Sequence, residues 1–122
     1  MYKSILVAVD LSKDSQKVID KALAATSGDT AKIHLVHVVE PIAAASMDIY
    51  AVNISDLQQE AAVIAEQKSK QIAEQAGISP SHVHTILGAP ASEIRSLASE
   101  IDAEAIVIGS HGHSGWKILL GS

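Results

Sequence analysis

Two short clusters combine residue types and spacings suited to holding an anion or a sugar. Gly109-Ser110-His111-Gly112 follows the apolar run Ala105-Ile106-Val107-Ile108. Glycines at its two ends let the backbone take φ > 0 and approach a ligand closely, while amides opening a following helix would face an anion. Such a helix end contributes about 0.3–1 kcal/mol per negative charge, and up to roughly 2 when partly buried. A tight strand-to-helix turn with no ligand uses the same residues. The second cluster is Asp10, which closes Ile5-Leu6-Val7-Ala8-Val9, with Ser12 just beyond it. A carboxylate at a strand end can accept from sugar hydroxyls, and it can equally cap a turn or a helix.

Other candidate chemistry is thinner. His82-Val83-His84 and His111-Gly112-His113 set two imidazoles on one face of an extended segment, a spacing open to metal ligation. No Asp, Glu or Cys is set beside either pair to complete a site, so no metal is assigned and His82 and His84 are read as exposed. His34 and His37 fall on opposite faces of their strand, with His37 at the rim beside Val38. Hydrolysis would need a base or metal on an attacking water. Asp10 is the one carboxylate near the inferred anion site, there is no Walker-type lysine, and Ser110 and Ser114 have no acid partner in a Gly-x-Ser-x-Gly elbow. No catalytic residue is assigned, and any hydrolysis of a bound phosphate is expected to be slow.

The elements that must position these residues follow from hydrophobic periodicity. Lys3 to Val9 is an uninterrupted apolar strand buried on both faces. Ser12 or Asp14 caps a helix through Val18, Ile19, Ala22 and Leu23 that closes at Gly28. Lys32 to Val39 is a second strand, ended by Glu40-Pro41. Residues 41–56 form an irregular connection long enough to reach over a neighbouring site. Asn53 to Ala76 is a long helix, carried by the run through Leu57, Ala61, Ile64, Ala65, Lys68, Ile72 and Ala76, with its charged positions on a solvated face. His82 to Leu87 is a more polar strand, and Pro90 opens a helix from Ala91 to Ile101. Glu104 to Ile108 is the fourth strand, and Trp116 to Leu120 reads as the start of a further helix, with Trp116 covering the glycine loop or anchoring a partner.

Alternating strands and helices imply a three-layer, doubly wound α/β sandwich on a parallel sheet with right-handed crossovers. Ligands of such sheets sit beyond the carboxyl ends of the strands at the switch point, and Asp10, Val38, Gly88 and Gly109 all fall there. At 122 residues, 48% hydrophobic and 19% charged, the chain supports one domain. Net charge is −5 with nine Lys+Arg, so the electrostatic term behind nucleic-acid binding is missing. No apolar run approaches the roughly 20 residues that span a bilayer. A cytoplasmic location is expected, and the absence of cysteine removes disulfide and thiol chemistry.

Taken in order, Ile5-Leu6-Val7-Ala8-Val9-Asp10 with Ser12, Ile33-His34-Leu35-Val36-His37-Val38, Gly88-Ala89-Pro90-Ala91-Ser92-Glu93-Ile94, and Ile106-Val107-Ile108-Gly109-Ser110-His111-Gly112 before Leu119-Leu120-Gly121-Ser122 closely resemble the universal stress protein family. The likeness runs along the whole chain. It implies a Rossmann-like fold that commonly forms a homodimer, and a stress-response role in which some members bind ATP or AMP, with Mg²⁺ as the companion of the phosphates. It further implies that Asp10 contacts ribose, that the Val38 backbone reads adenine, and that Ala8 and Val9 lie beneath the nucleotide near Gly88. Gly109, Ser110, His111, Gly112, Gly121 and Ser122 would surround the phosphates. The alternative is a stress protein of the same fold that binds no nucleotide and acts as a protein-interaction module.

Two features depart from the family pattern. Eight residues, His113 to Leu120, separate Gly112 from Gly121 where the nucleotide-binding pattern has nine. On a helix one residue is about 100° of rotation and 1.5 Å of rise, enough to turn Gly121 and Ser122 away from the phosphates. The sequence also stops at Ser122, where the family continues through the rest of a helix and a fifth strand. A chain incomplete at its C-terminus, with four of the strands present, is therefore expected.

Overall fold

The computed structural model describes residues 2–42, 54–109 and 116–120. Its elements are β1 (Ile5–Ala8), α1 (Ser15–Ala25), β2 (Ile33–Val39), α2 (Ile54–Ala76), β3 (Val83–Leu87), α3 (Pro90–Glu100), β4 (Ala105–Gly109) and β5 (Trp116–Leu120), with single helical turns at Thr30–Lys32 and Pro80–His82. Among the described residues they make one five-stranded sheet in the order β3-β2-β1-β4-β5.

β1 sits at the centre because its run has no polar face to expose. Ile5, Leu6 and Val7 are all fully buried, and such side chains each contribute about 1.5–3 kcal/mol on leaving water. Its alternating residues supply two separate cores. Ile5, Val7 and Val9 pack with Ile33, Leu35 and Val107 under Val18, Ile19 and Ala22 of α1 and Ala73 of α2. Leu6 and Ala8 pack with Val36, Val38 and Ile106 under Leu97 and Ala98 of α3. Thus α1 and α2 cover one face and α3 the other, and the chain changes face as it passes from β3 to β4. The switch point lies between β1 and β4.

β1, β2, β3 and β4 are parallel, in the registers Ala8↔Val36, Ala8↔Ile108 and Val38↔Ile86. The expected doubly wound α/β architecture holds for these four strands, with one correction at the end of the chain. Trp116–Leu120 is a fifth strand antiparallel to β4, pairing Gly109 with Trp116 and Ala105 with Leu120, and is not the start of a helix. The outer edge of β4 offers unpaired amides and carbonyls, whereas an isolated helix this short gains too few hydrogen bonds to nucleate. Residues 118 and 119 follow the strand period: Ile118 packs on the α1/α2 core and Leu119 is 46% exposed.

The packing face of α2 keeps Ala65, Ile72 and Ala76 of the run read in the sequence and adds Ser69 and Ala73. Ala65, Ser69 and Ala73 are its buried residues, while Ile64 is 43% exposed. Small side chains let this helix lie close to β2 and β3, so closeness of approach has outweighed side-chain size in choosing the buried face.

Candidate functional site

The carboxyl end of β1 is built by contacts that bind it to β2. The Val9 amide donates to the Val36 carbonyl (3.0 Å), and Nδ1 of His37 lies 2.8 Å from the Val9 carbonyl, which can only accept, so His37 donates from that nitrogen. The β1–β2 register, carried on by two residues, sets Asp10 level with Val38. Val38 itself is buried against the α3 face, and Asp10 is exposed.

The turn after β1 is tight. Oδ1 of Asp10 accepts the Ser12 amide (2.9 Å), and Oγ of Ser12 accepts the Asp14 amide (3.2 Å). Leu11 between them has φ 64°, a left-handed backbone that a branched side chain adopts at a cost of about 1–2 kcal/mol. The capping roles expected of Asp10, Ser12 and Asp14 resolve accordingly: Asp10 and Ser12 close the turn, and Asp14 precedes α1 without a side-chain capping bond. Ser15, first residue of α1, is 2% exposed, and its hydroxyl has no hydrogen-bond partner. Its burial is a tertiary effect with no signal in the sequence.

Across the switch point, Gly109 ends β4 with Val18 of α1 above it. A Cβ built on Gly109 would lie 3.0 Å from Val18 Cγ2, so the absence of a side chain sets how near α1 comes to β4. Ala8, Val9, Asp10, Val38 and Gly109 therefore gather at the ends of three adjacent strands. Gly88 stands one strand further out, at the end of β3, where its amide donates to the Val39 carbonyl (3.0 Å). Its φ of 157° is one that side chains rarely adopt, and a Cβ built there would lie 2.8 Å from Glu93 Cγ. Ser110, His111, Gly112, Gly121 and Ser122 lie outside the described residues, as does most of the 41–56 connection.

Gln58 is a residue the sequence reading missed. From the first turns of α2 its Oε1 accepts the Ile42 amide (2.7 Å) and its Nε2 donates to the Glu40 carbonyl (3.4 Å), fastening the exit of β2. A glutamine on a helix otherwise rich in solvated side chains carries no mark of this role.

The histidines divide into two environments. His37 belongs to the β1–β2 rim. His34, His82 and His84 meet on the α3 face toward the amino ends of β2 and β3 and are half-buried, which corrects the expectation that His82 and His84 are exposed: they cover and are covered by His34. Among the described residues no group of three His, Cys, Asp or Glu side chains is arranged to hold a metal. An open groove lined by Ala62, Glu66, Lys70, Val83, His84, Thr85 and Ile86 runs beside β3, at the opposite edge of the sheet from β4. Its walls bear no relation to the β1/β4 crevice, where sheet topology and the gathered strand ends locate the candidate site. No helix among the described residues is long and apolar enough to cross a membrane.

Comparison with known proteins agrees with this architecture. The model of the universal stress protein family matches residues 1–122. A curated relative, universal stress protein A homolog 1 of Coxiella burnetii, is 33% identical over 99% of this chain and 85% of its own. A solved universal stress protein from Archaeoglobus fulgidus superposes with a TM-score of 0.56 at 26% identity, covering 100% of this chain and 87% of that one. A universal stress protein solved in complex with cAMP gives a TM-score of 0.59 at 21% identity over 91% of this chain and 78% of its own, a likeness of fold.

Proposed function

The chain belongs to the universal stress protein family, and from that premise we propose that it binds an adenine nucleotide, ATP or AMP, at the β1/β4 crevice and serves the stress response as a sensor. The observation that carries this reading is the placement of exposed Asp10 level with Val38, with the side-chain-free Gly109 on the other side of β1 at the switch point. In this reading Asp10 accepts from the ribose hydroxyls, the Val38 backbone meets the adenine edge, and Ala8 and Val9 form the floor, with Gly88 at its outer margin. Gly109, Ser110, His111, Gly112, Gly121 and Ser122 surround the phosphates, whose charge is met by backbone amides and a hydroxyl. A Mg²⁺ accompanies the phosphates.

Output comes from occupancy: a nucleotide that prefers one arrangement of the surrounding loops shifts the population toward it, and a homodimer contact or a protein partner reads the change in the cytoplasm. The cAMP bound by a fold relative supports adenine as the recognised base. The eight-residue spacing between Gly112 and Gly121 favours the second reading, an interaction module without nucleotide. Isothermal titration of ATP, AMP and cAMP with Mg²⁺ into the protein decides between them. Saturable binding of an adenine nucleotide, weakened by Asp10→Ala, supports the sensor; a folded protein that gives no heat with any of the three is the interaction module.

A further inference from the structure

His34 of β2 lies directly across from His82, with ring centroids 4.1 Å apart and planes within 11°, a face-to-face stack. Its Nδ1 is also 3.0 Å from Nε2 of His84. Those two rings have centroids 5.3 Å apart and planes 23° apart, so they meet end to end through their nitrogens. His82 is held in turn by its Nδ1, which donates to the Ile33 carbonyl at 3.0 Å. The three imidazoles thus join the start of β3 and the turn before it to the start of β2.

The chemistry of that junction limits how many protons it can hold. A hydrogen bond between two imidazole nitrogens needs one N–H and one bare lone pair, and a doubly protonated pair presents two N–H groups to each other. The His34–His84 contact therefore accommodates at most one proton along its axis. A charged His82 stacked on a charged His34 adds like-charge repulsion. Nitrogens that point at one another also do not converge on a common ligand, which is why the trio is a proton device and not a metal site.

We propose that His34, His82 and His84 form a proton-operated latch that holds edge strand β3 to β2 at neutral pH and releases it as the pH falls.

The surroundings suit that role. β3 is an edge strand with no fully buried residue, and Leu87 is 53% exposed, so beyond its pairing with β2 and the partial packing of Val83 and Ile86 no buried side chain fastens it. His34 and His84 are only half-buried, which gives protons a route to the pair. The charged group acting on the trio is Glu100 of α3, while Glu66 and Lys70 of α2, the helix on the opposite face of the sheet, line the groove beside β3. Glu66 and Lys70 are already paired with each other at 3.0 Å, and Glu100 acts in the opposite sense to burial, favouring charge on His84. Burial, and after it His82, nevertheless keeps both His34 and His84 below the ordinary imidazole value.

The sign follows from linkage. Below about pH 6.5 the imidazoles of the open or unfolded chain take up protons that the closed trio resists, so the latch is intact above that pH and is lost as the pH falls through the lowered values of His34 and His84. Amide hydrogen exchange followed by NMR, corrected for intrinsic rates, tests this on the wild-type chain. Between pH 7.5 and pH 5.5 the opening of Val83–Leu87 should rise relative to Ile5–Ala8, by at most about tenfold, the limit set by one excluded proton over one pH unit. His84→Gln, which keeps a donor toward His34 but cannot charge, should flatten that dependence. β3 opening that tracks β1 at every pH overturns the proposal, and so do His34 and His84 ring signals that titrate independently near pH 6.5. Both of these are read on the wild type, whether or not the variant folds.

Discussion

The His37 ring donates from Nδ1 to the Val9 carbonyl at 2.8 Å, tying the residue that follows β1 to the adjacent strand. This bond holds the backbone immediately before Asp10, so the position of the carboxylate depends on a side chain that need not touch a ligand itself. His37 is a positioning residue in this arrangement.

His37→Ala should therefore act on both folding and binding. Loss of one partly buried hydrogen bond costs about 1 kcal/mol, which lowers the melting temperature by roughly 4 °C in a domain of this size. The same displacement of Asp10 should weaken nucleotide affinity about fivefold, the equivalent of that energy. Calorimetric titration beside a thermal melt reads the two effects separately. A lower melting temperature with unchanged affinity would reduce His37 to a structural residue.

Asp10→Ala removes the proposed ribose acceptor and also the turn bond to the Ser12 amide. A hydrogen bond to a charged group is worth about 1.5–3 kcal/mol, so nucleotide affinity should fall by roughly 10- to 150-fold. The exposed turn should cost far less in stability. Asp10→Asn, which keeps an oxygen for Ser12, separates the two roles: affinity still reduced with the turn intact is the expected result, and full affinity in both variants would remove Asp10 from the site.

Gly88→Ala meets two obstacles, a φ of 157° and Glu93 Cγ at 2.8 Å from the new Cβ. Glu93 has a flexible stem and can swing aside, whereas the backbone cannot change φ without moving the end of β3. The backbone cost should dominate, at about 1–2 kcal/mol. Denaturant unfolding of Gly88→Ala and of Gly88→Ala with Glu93→Ala checks this. Nearly equal losses are expected, and full rescue by the second substitution would assign the cost to the side-chain clash.

Ser69 is fully buried on α2, and its hydroxyl has no hydrogen-bond partner. Ser69→Ala removes an unsatisfied polar atom and substitutes a better helix former, so the protein should gain about 1 kcal/mol. A raised denaturant midpoint with an unchanged slope is the expected readout. A loss of stability would mean that the hydroxyl's packing matters more than its missing partner.

Much of the fold was legible because the chain advertises it locally. The central run Ile5–Val9, the alternation of strand and helix periods, and Pro90 at a helix start each name an element from neighbouring residues alone. Asp10, Val38 and Gly109 could be placed at strand ends for the same reason, since a strand end is visible wherever an apolar run stops. The face of α2 was less legible, because Ser69 is buried and Ile64 exposed, and hydrophobicity cannot register how closely a small side chain lets a helix approach.

The amino-acid sequence by itself determined the α/β class, the order of the elements through β4 and the family, for these rest on periodicity and on motifs contiguous in the chain. Only the tertiary structure decided which residues meet. The bond from His37 to Val9, the level placement of Asp10 with Val38 and the meeting of His34 with His82 and His84 depend on strand register, and the Gln58 fastening of β2 on where α2 docks, relations between segments up to 50 residues apart for His34 and His84. Trp116–Leu120 became a strand because β4 had an edge to pair with. Local sequence states a preference, and the partner that settles it is brought near only by the fold.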